Sequence, residues 1–313
     1  MSKQTQLADR ILSEDALKHI YKCEQDGRRP TLESLAGVLQ VSPDEVSMLV
    51  TKMAHHRLIQ IEGNTFHLTT GGCAYALQII RAHRLWEHYL AEETGFDEAE
   101  WHARAERREH YLTPEEVDAL SAQLSHPTYD PHGDPIPTPQ GEIEPEAGLP
   151  LSTLKPGQLV RIVHLEDEPP IVFAQLMAEN LHPGLALELT ETTPQRIGFR
   201  AGGREHTLAP ILAANVFVFP LTEKQISEMQ PTEPLAGLSP GQRGRVVSLS
   251  PACRGAERRR LMDLGIVPGT VIGAELRSPG GDPTAYDIRG ALIALRREQA
   301  ALINIVRLEE VGV

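Results

Sequence analysis

Residues 101–110, WHARAERREH, set His102, Glu106, Glu109 and His110 at successive spacings of four, three and one. An α-helix turns roughly 100° per residue, so these four side chains share one face. Imidazole nitrogens and carboxylate oxygens arranged this way form either a solvated polar face or half of a metal cage. A second pair stands upstream in AHRLWEHYL, where His83 and Glu87 are again four apart and therefore on one face. If the two helices pack side by side, up to six donor groups converge. Mixed imidazole and carboxylate donors suit Mn²⁺, Fe²⁺, Co²⁺, Ni²⁺ or Zn²⁺ rather than soft Cu⁺. A lone His–Glu pair at this spacing is commonly a surface hydrogen bond, and two pairs on successive helices weigh more. Trp86 and Trp101, flanking the pairs, read as core.

The elements that must carry these groups can be read from caps and periodicity. Residues 13–27 predict a first helix, with Ser13 as N-cap, apolar positions at Ala16, Leu17, Ile20 and Tyr21, and Gly27 closing it. A second helix begins at Thr31. In the next, Ser42 caps, Pro43 takes the first helical position and Glu45 completes a capping box, with the helix running to about His56. IQIEGNTFHLT predicts two short strands about Gly63-Asn64. Three short helices and a hairpin make a winged helix-turn-helix. Thr70-Gly71-Gly72 predicts a break. A long amphipathic helix follows over 73–93, a helix carrying the opening stretch starts at Asp97, and another starts at Thr113-Pro114 with Glu116 as its box partner. Residues 127–150, rich in Pro, Gly and acid, read as an ordered turn and then a linker.

The remainder contains an internal repeat. LSTLKPGQLVRIVHL and LMAENLHPGLALEL are answered by LAGLSPGQRGRVVSL and LMDLGIVPGTVIGAEL. Each copy offers a PG turn into a strand, a short helix near LM, a second PG turn and further strands, which predicts two small β-barrels. Neither barrel shows a Ser–His–Asp set or a phosphate loop, and the protein reads as no enzyme. Arg254, Arg258, Arg259 and Arg260 form a basic cluster, which is either a solvated helix face or a docking surface.

At 313 residues the chain has room for two to four domains. No apolar run is long enough to span a bilayer, and no N-terminal hydrophobic segment suggests export. Cys23, Cys73 and Cys253 are odd in number and widely spread, which argues against a disulfide framework and fits a reducing cytoplasm. Net charge is −13. The acid is concentrated around the opening stretch, with five basic against eleven acidic residues over 73–126. Bound divalent cations would offset that excess, and a charged soluble surface explains it equally.

The order of parts resembles the diphtheria toxin repressor and manganese transport regulator family of metal-dependent transcription factors. The resemblance rests on HIY in the first helix, AHRLWEHYL, WHARAERREHYLT and HGDPIP, and covers about residues 7–140. Both repeats resemble the FeoA-like, SH3-like domain carried by many of these repressors, the second more closely. The resemblance implies an α+β multidomain chain: a winged helix-turn-helix DNA-binding domain (1–72), an all-α metal-binding and dimerisation domain (73–140), a linker (141–150), a first SH3-like domain (151–222), a linker (223–234) and a second SH3-like domain (235–313). It further implies a regulatory metal site of Asp15, Glu106, Glu109 and His110. A second site would use His83, Glu87 and His102, with Glu168 close to where the family donates a barrel ligand. Lys18 stands where manganese-type members have an acid. Glu106 stands where iron-type members have a sulfur ligand, and its oxygen makes the site harder, favouring Mn²⁺ or Fe²⁺.

The expected function is a homodimeric, cytoplasmic, divalent-metal-dependent repressor that binds double-stranded operator DNA and controls metal homeostasis genes. Ser42, Ser47, Thr51, Lys52 and Arg57 are the candidate DNA contacts, joined by Asn64 and Thr65 of the wing. Eight basic against nine acidic residues over 1–72 predict a shallow salt dependence. The alternative is a FeoA-like interaction protein whose barrels bind a partner such as a ferrous iron transporter.

Overall fold

The computed structural model describes residues 3–145, 148–228 and 232–308. The chain forms two compact units: Met1–Tyr89 with Ala99–Glu146, and Leu90–Glu98 with Ala147–Val313.

The first unit opens with three helices, α1 (Lys3–Gln25), α2 (Leu32–Leu39) and α3 (Pro43–His55), followed by a hairpin of β1 (Ile59–Glu62) and β2 (Thr65–Leu68). Helix α1 begins ten residues before the expected Ser13 cap. Ser13 instead donates its hydroxyl to the Asp9 carbonyl inside the helix, at 2.8 Å. The preceding KQTQLADRIL consists mostly of good helix formers, and Leu12 packs against the core. Helix α3 starts as its caps dictate: Ser42 accepts from the Glu45 amide, the Glu45 side chain accepts from the Ser42 amide, and Pro43 occupies the first turn. Its buried Val46, Leu49, Val50 and Met53 keep helical spacing and join Ala16, Leu17 and Ile20 of α1 in one apolar cluster. Movement of α1 therefore reaches α3 through shared packing.

Helix α4 spans Thr70–Glu93, so the expected break at Thr70-Gly71-Gly72 does not occur. Thr69 caps the helix, accepting from the Gly72 amide at 3.0 Å. A Cβ on Gly72 would lie 1.9 Å from the Leu58 carbonyl oxygen. The glycine thus admits a close backbone approach rather than ending an element. Helix α5 (Glu98–Glu109) and helix α6 (Pro114–Gln123) follow, the latter with Thr113, Pro114 and Glu116 in the expected capping box. Beyond α6 the chain turns tightly, with Tyr129 bridged to Pro135 and the Asp134 amide donating to Asp130.

In the second unit the first repeat is β3 (Leu149–Pro150), β4 (Leu159–Leu165), α7 (Pro170–Ala178), β5 (Ala186–Thr192), β6 (Ile197–Ala201), β7 (Arg204–Leu208), α8 (Pro210–Ala213) and β8 (Val216–Pro220). A short helix α9 (Glu223–Glu228) precedes the second repeat: β9 (Glu233–Pro234), β10 (Arg243–Leu249), α10 (Gly255–Asp263), β11 (Val271–Arg277), β12 (Thr284–Ile288), β13 (Ala291–Leu295), α11 (Arg297–Ala301) and β14 (Ile303–Leu308). The sheet orders, β3-β8-β4-β5-β6-β7 and β9-β14-β10-β11-β12-β13, are the same topology twice. The register breaks also correspond: between Ile162 and His164 and between Leu189 and Glu191 in one copy, between Val246 and Ser248 and between Ala274 and Leu276 in the other. Bulges at matching places re-aim strands alike, so both sheets enclose their own apolar core.

Three of the four clustered arginines are paired inside this unit. Arg254 meets Glu98 at 2.8 Å, Arg258 meets Glu92 at 3.1 Å, and Arg259 meets Glu93. Arg260 stays exposed. Gly255 has φ +51°, and a Cβ there would lie 2.2 Å from the Thr94 carbonyl oxygen.

Candidate metal centre

Helices α4 and α5 and the turn after α6 assemble a first cluster. His83 and Glu87 lie one turn apart on α4, with His83 Nε2 at 3.1 Å from Glu87 Oε1. His102 of α5 brings Nδ1 to 3.4 Å from the same oxygen, and its ring centroid lies 4.9 Å from that of His83. His132 approaches the other oxygen of Glu87 at 3.7 Å. His83, Glu87 and His132 are buried.

A second cluster joins α1 to the end of α5. Asp15 Oδ1 lies 3.3 Å from His110 Nε2, and Glu109 Oε1 lies 3.6 Å from the same nitrogen. One donor atom from each of Asp15, Glu109 and His110 falls within 4.8 Å of the others, as does one from each of His83, Glu87 and His102. Glu109 belongs to both neighbourhoods. Its Oε1 takes the Lys18 ammonium at 2.7 Å, and its Oε2 is hydrogen-bonded to His83 Nδ1.

The charges are mutually held. Burial opposes the charge on Glu87, but His83, His102 and His132 outweigh it and keep the carboxyl well below its usual range. Glu109 is likewise lowered, burial being outweighed by Lys18 and His83. Burial opposes protonation of His83 and Lys18, yet Glu87 raises the first and Glu109 the second. His110 rises to about 9, because the Asp15 and Glu14 carboxylates outweigh its burial. Asp130 behaves oppositely: burial and the neighbouring Asp134 push it well above the usual carboxyl range.

The donor sets fit a divalent first-row cation. Each combines carboxylate oxygen with imidazole nitrogen, and neither contains sulfur. Asp15 Oδ1 and Glu87 Oε1 are buried without a hydrogen bond of good geometry, as suits oxygens that serve as ligands.

Of the expected metal residues, Asp15, Glu109 and His110 come together, as do His83, Glu87 and His102. Glu106 is exposed and stands outside both sets among the described residues. Its turn of α5 faces water, whereas Glu109 and His110 face the buried seam. Glu168 lies in the second unit, in the segment between β4 and α7. His132 and Glu14 were not anticipated as parts of the centre. For His132 the available signal was the histidine of HGDPIP; for Glu14 it was an acid directly beside Asp15. Trp101 is buried core, while Trp86 is only partly buried and carries Arg108 over its ring at 5.2 Å.

The candidate DNA contacts Ser47, Thr51, Lys52 and Arg57 are all exposed on or just after α3. Two are engaged locally: Thr51 donates to the Ser47 carbonyl, and Lys52 pairs with Asp9 at 2.8 Å. Ser42 is exposed and donates its hydroxyl to Glu45. Met48, between them, is 68% exposed.

Comparison with known proteins adds independent findings. Residues 69–138 match the family described as iron dependent repressor, metal binding and dimerisation domain, and residues 233–307 match the FeoA domain. The chain is 33% identical over 173 residues to the iron-dependent repressor IdeR of Mycobacterium leprae, covering 55% of this chain and 74% of that protein. It is 31% identical over 159 residues to the diphtheria toxin repressor of Corynebacterium efficiens, covering 48% of this chain and 69% of that one. A solved manganese-dependent transcriptional repressor in complex with manganese superposes with a TM-score of 0.61 at 26% identity, over 67% of this chain and 100% of that one. The manganese regulator SloR shares the fold, with a TM-score of 0.56 at 23% identity, over 67% of this chain and 98% of that one.

Proposed function

The chain belongs to the family of iron-dependent, diphtheria-toxin-type repressors, and from that premise we propose that it is a divalent-metal-dependent, DNA-binding transcriptional repressor of metal homeostasis genes, responsive to Mn²⁺ or Fe²⁺. One observation carries the reading: Asp15, on a helix of the winged-helix core, is gathered with Glu109, the last residue of α5, and His110 just after it. A bound cation would supply charge neutralisation and a cross-link among these side chains. Asp15 and Glu109 offer anionic oxygens, and His110 offers Nε2. His83, Glu87 and His102 form the second candidate set, with His132 at its margin. Glu106 remains a proposed ligand that its helix would have to turn inward.

Helix α1 is tied to the C-terminal end of α5 and the residue after it by direct side-chain contacts. Arg10 donates to the His110 carbonyl at 2.6 Å, Glu14 accepts from His110 Nδ1, and Lys18 pairs with Glu109. These residues recur every four positions along one helix face. A cation held by Asp15, Glu109 and His110 would act on this same seam. Because α1 shares its core with α3, an adjustment there shifts the equilibrium between reading-helix placements. By linkage, DNA then tightens metal binding by the same factor by which metal tightens DNA binding.

We assign residues 1–72 to DNA reading, 73–140 to metal binding and homodimer formation, and 151–222 and 235–313 to two SH3-like domains. The match to a dimerisation domain supports the homodimer. Two copies of α3 would then meet a two-fold operator, with Ser42, Ser47, Thr51, Lys52 and Arg57 towards the DNA. A cytoplasmic location follows from that role. Among the described residues no helix is long and apolar enough to cross a membrane.

The test is a gel shift on the DNA upstream of the gene, with chelator and with Mn²⁺ or Fe²⁺. Retardation should require metal and should be lost in Asp15→Ala and His110→Ala. Equal retardation in chelator would sink the switch. Failure to bind that DNA under either condition would favour a protein partner for the FeoA-like domains.

A further inference from the structure

We propose that Glu14 is a positioning residue: it fixes the ring of His110 by accepting from Nδ1, and Tyr75 holds Glu14 in place to do so. The proposal rests on the reading of His110 as a metal ligand.

The ring of His110 is caught between two consecutive carboxylates of α1. Its Nδ1 lies 2.6 Å from Glu14 Oε2, and its Nε2 lies 3.3 Å from Asp15 Oδ1. Neighbouring helix residues diverge by roughly 100°, so both reach one ring only because it sits against the helix between them. Glu14 is 2% exposed, and a carboxylate so buried needs its oxygens satisfied. Its Oε1 accepts from the Tyr75 hydroxyl, and Arg10 Nε stands 3.6 Å away. Tyr75 comes from α4, Glu14 from α1 and His110 from the end of α5. Three elements therefore agree on one ring orientation.

The buried ring borders open space on one side. A cavity of about 400 Å³ is lined in part by Arg10, Glu14, Tyr75, Glu109 and His110. The hydrogen bond decides which way the ring faces. A carboxylate on Nδ1 requires that nitrogen to carry a hydrogen, which leaves Nε2 to present its lone pair beside Asp15 and Glu109 when the ring is neutral. Second partners of ligating histidines act in this way, and their loss commonly weakens metal binding about 10- to 100-fold.

The experiment uses the full chain, isotopically labelled, loaded with diamagnetic Zn²⁺, and follows the ring nitrogens of His110 by NMR. Affinity for Mn²⁺ is titrated separately, without DNA. In the unmodified protein His110 should ligate through Nε2 alone, with Nδ1 protonated. Glu14→Ala should show both ligating nitrogens or exchange between them, and bind Mn²⁺ about 10- to 100-fold more weakly. Glu14→Gln keeps an acceptor for Nδ1–H and should restore the single pattern and bring affinity to within a few-fold, about the difference of one hydrogen bond. Should Glu14→Ala not fold, Tyr75→Phe decides: it leaves the carboxylate in place and should loosen the pattern, with about a three- to tenfold loss. An unaltered His110 pattern and affinity in the deciding variant overturns the proposal alone. A His110 that does not respond to Zn²⁺ in the unmodified protein overturns the metal reading and this inference together.

Discussion

Glu109 divides its two oxygens between Lys18 and His83, so one side chain conditions both candidate sets. Replacing it with alanine would leave Lys18 and His83 facing each other without their shared counter-charge. We expect Glu109→Ala to destabilise the metal-free protein by about 3–5 kcal/mol, read from urea unfolding, and to weaken both sets in a metal titration. Glu106→Ala, at an exposed position, should cost little stability. The pH dependence follows from His110. Its folded value is raised from 6.5 to about 9. Protonation of this ring therefore stabilises the metal-free fold fully below about pH 6.5, and that contribution fades as pH rises through about 9. Ligation requires the neutral ring, so the proton competes with metal below that value. Mn²⁺ affinity should fall by up to about tenfold per pH unit for each proton displaced on acidification. Thermal unfolding with and without Mn²⁺ between pH 6 and 9.5 should show the two curves diverging as pH rises. Parallel curves would exclude His110 as the competing group.

At the scale of elements, the contact between α4 and the segment before β1 depends on Gly72. A methyl group would enter the Leu58 carbonyl, and backbone cannot give way as a side-chain tip can. Gly72→Ala should lower stability by about 1–3 kcal/mol or more, whereas Gly71→Ala, whose nearest neighbour would be 3.8 Å away, should be far milder. Helix α3, the proposed reading helix, has a cation engaged within the protein. Lys52 is held by Asp9 of α1, and on the proposed reading a phosphate would have to compete for it. Asp9→Asn should increase DNA affinity in a gel shift and leave metal affinity unchanged.

For the molecule as a whole, charge is distributed by role. The chain carries −13 overall, so DNA must be approached by a local surface. If Lys52 and Arg57 contact phosphate as proposed, two cations per protomer of a proposed dimer should give a slope of log affinity against log salt of about −3 to −4. A much steeper slope would mean that further cationic surface contacts phosphate. The second unit is held partly by ion pairs of its own, from Arg254, Arg258 and Arg259 to Glu98, Glu92 and Glu93. Partly exposed pairs are each worth up to about 1 kcal/mol and are weakened by salt. Amide exchange of residues 92–98 should therefore quicken in high salt, and again in Arg258→Glu with Arg259→Glu. Restoration by the opposite exchange at Glu92 and Glu93 would identify the pairing as the cause.

What was legible in the sequence was local or periodic. The starts of α3 and α6 were written in Ser42-Pro43-x-Glu45 and Thr113-Pro114-x-Glu116, because a capping box closes within four residues. The duplicated sheets were written in the repeat, since like strands and turns impose like pairing. The donor residues could be gathered because helical spacing puts His83 with Glu87 and His102 with the residues after it on common faces. Tertiary structure alone decided which donors meet. It buried Glu109 between Lys18 and His83, turned Glu106 to solvent, brought Glu14 to the far side of the His110 ring, and delivered His132 from a turn. It also kept Gly71 and Gly72 inside α4, although their type suggested a break. The physical reason is common to all of these: spacing along a helix sets a direction, whereas burial, charge pairing and close backbone approach depend on how separate elements cross.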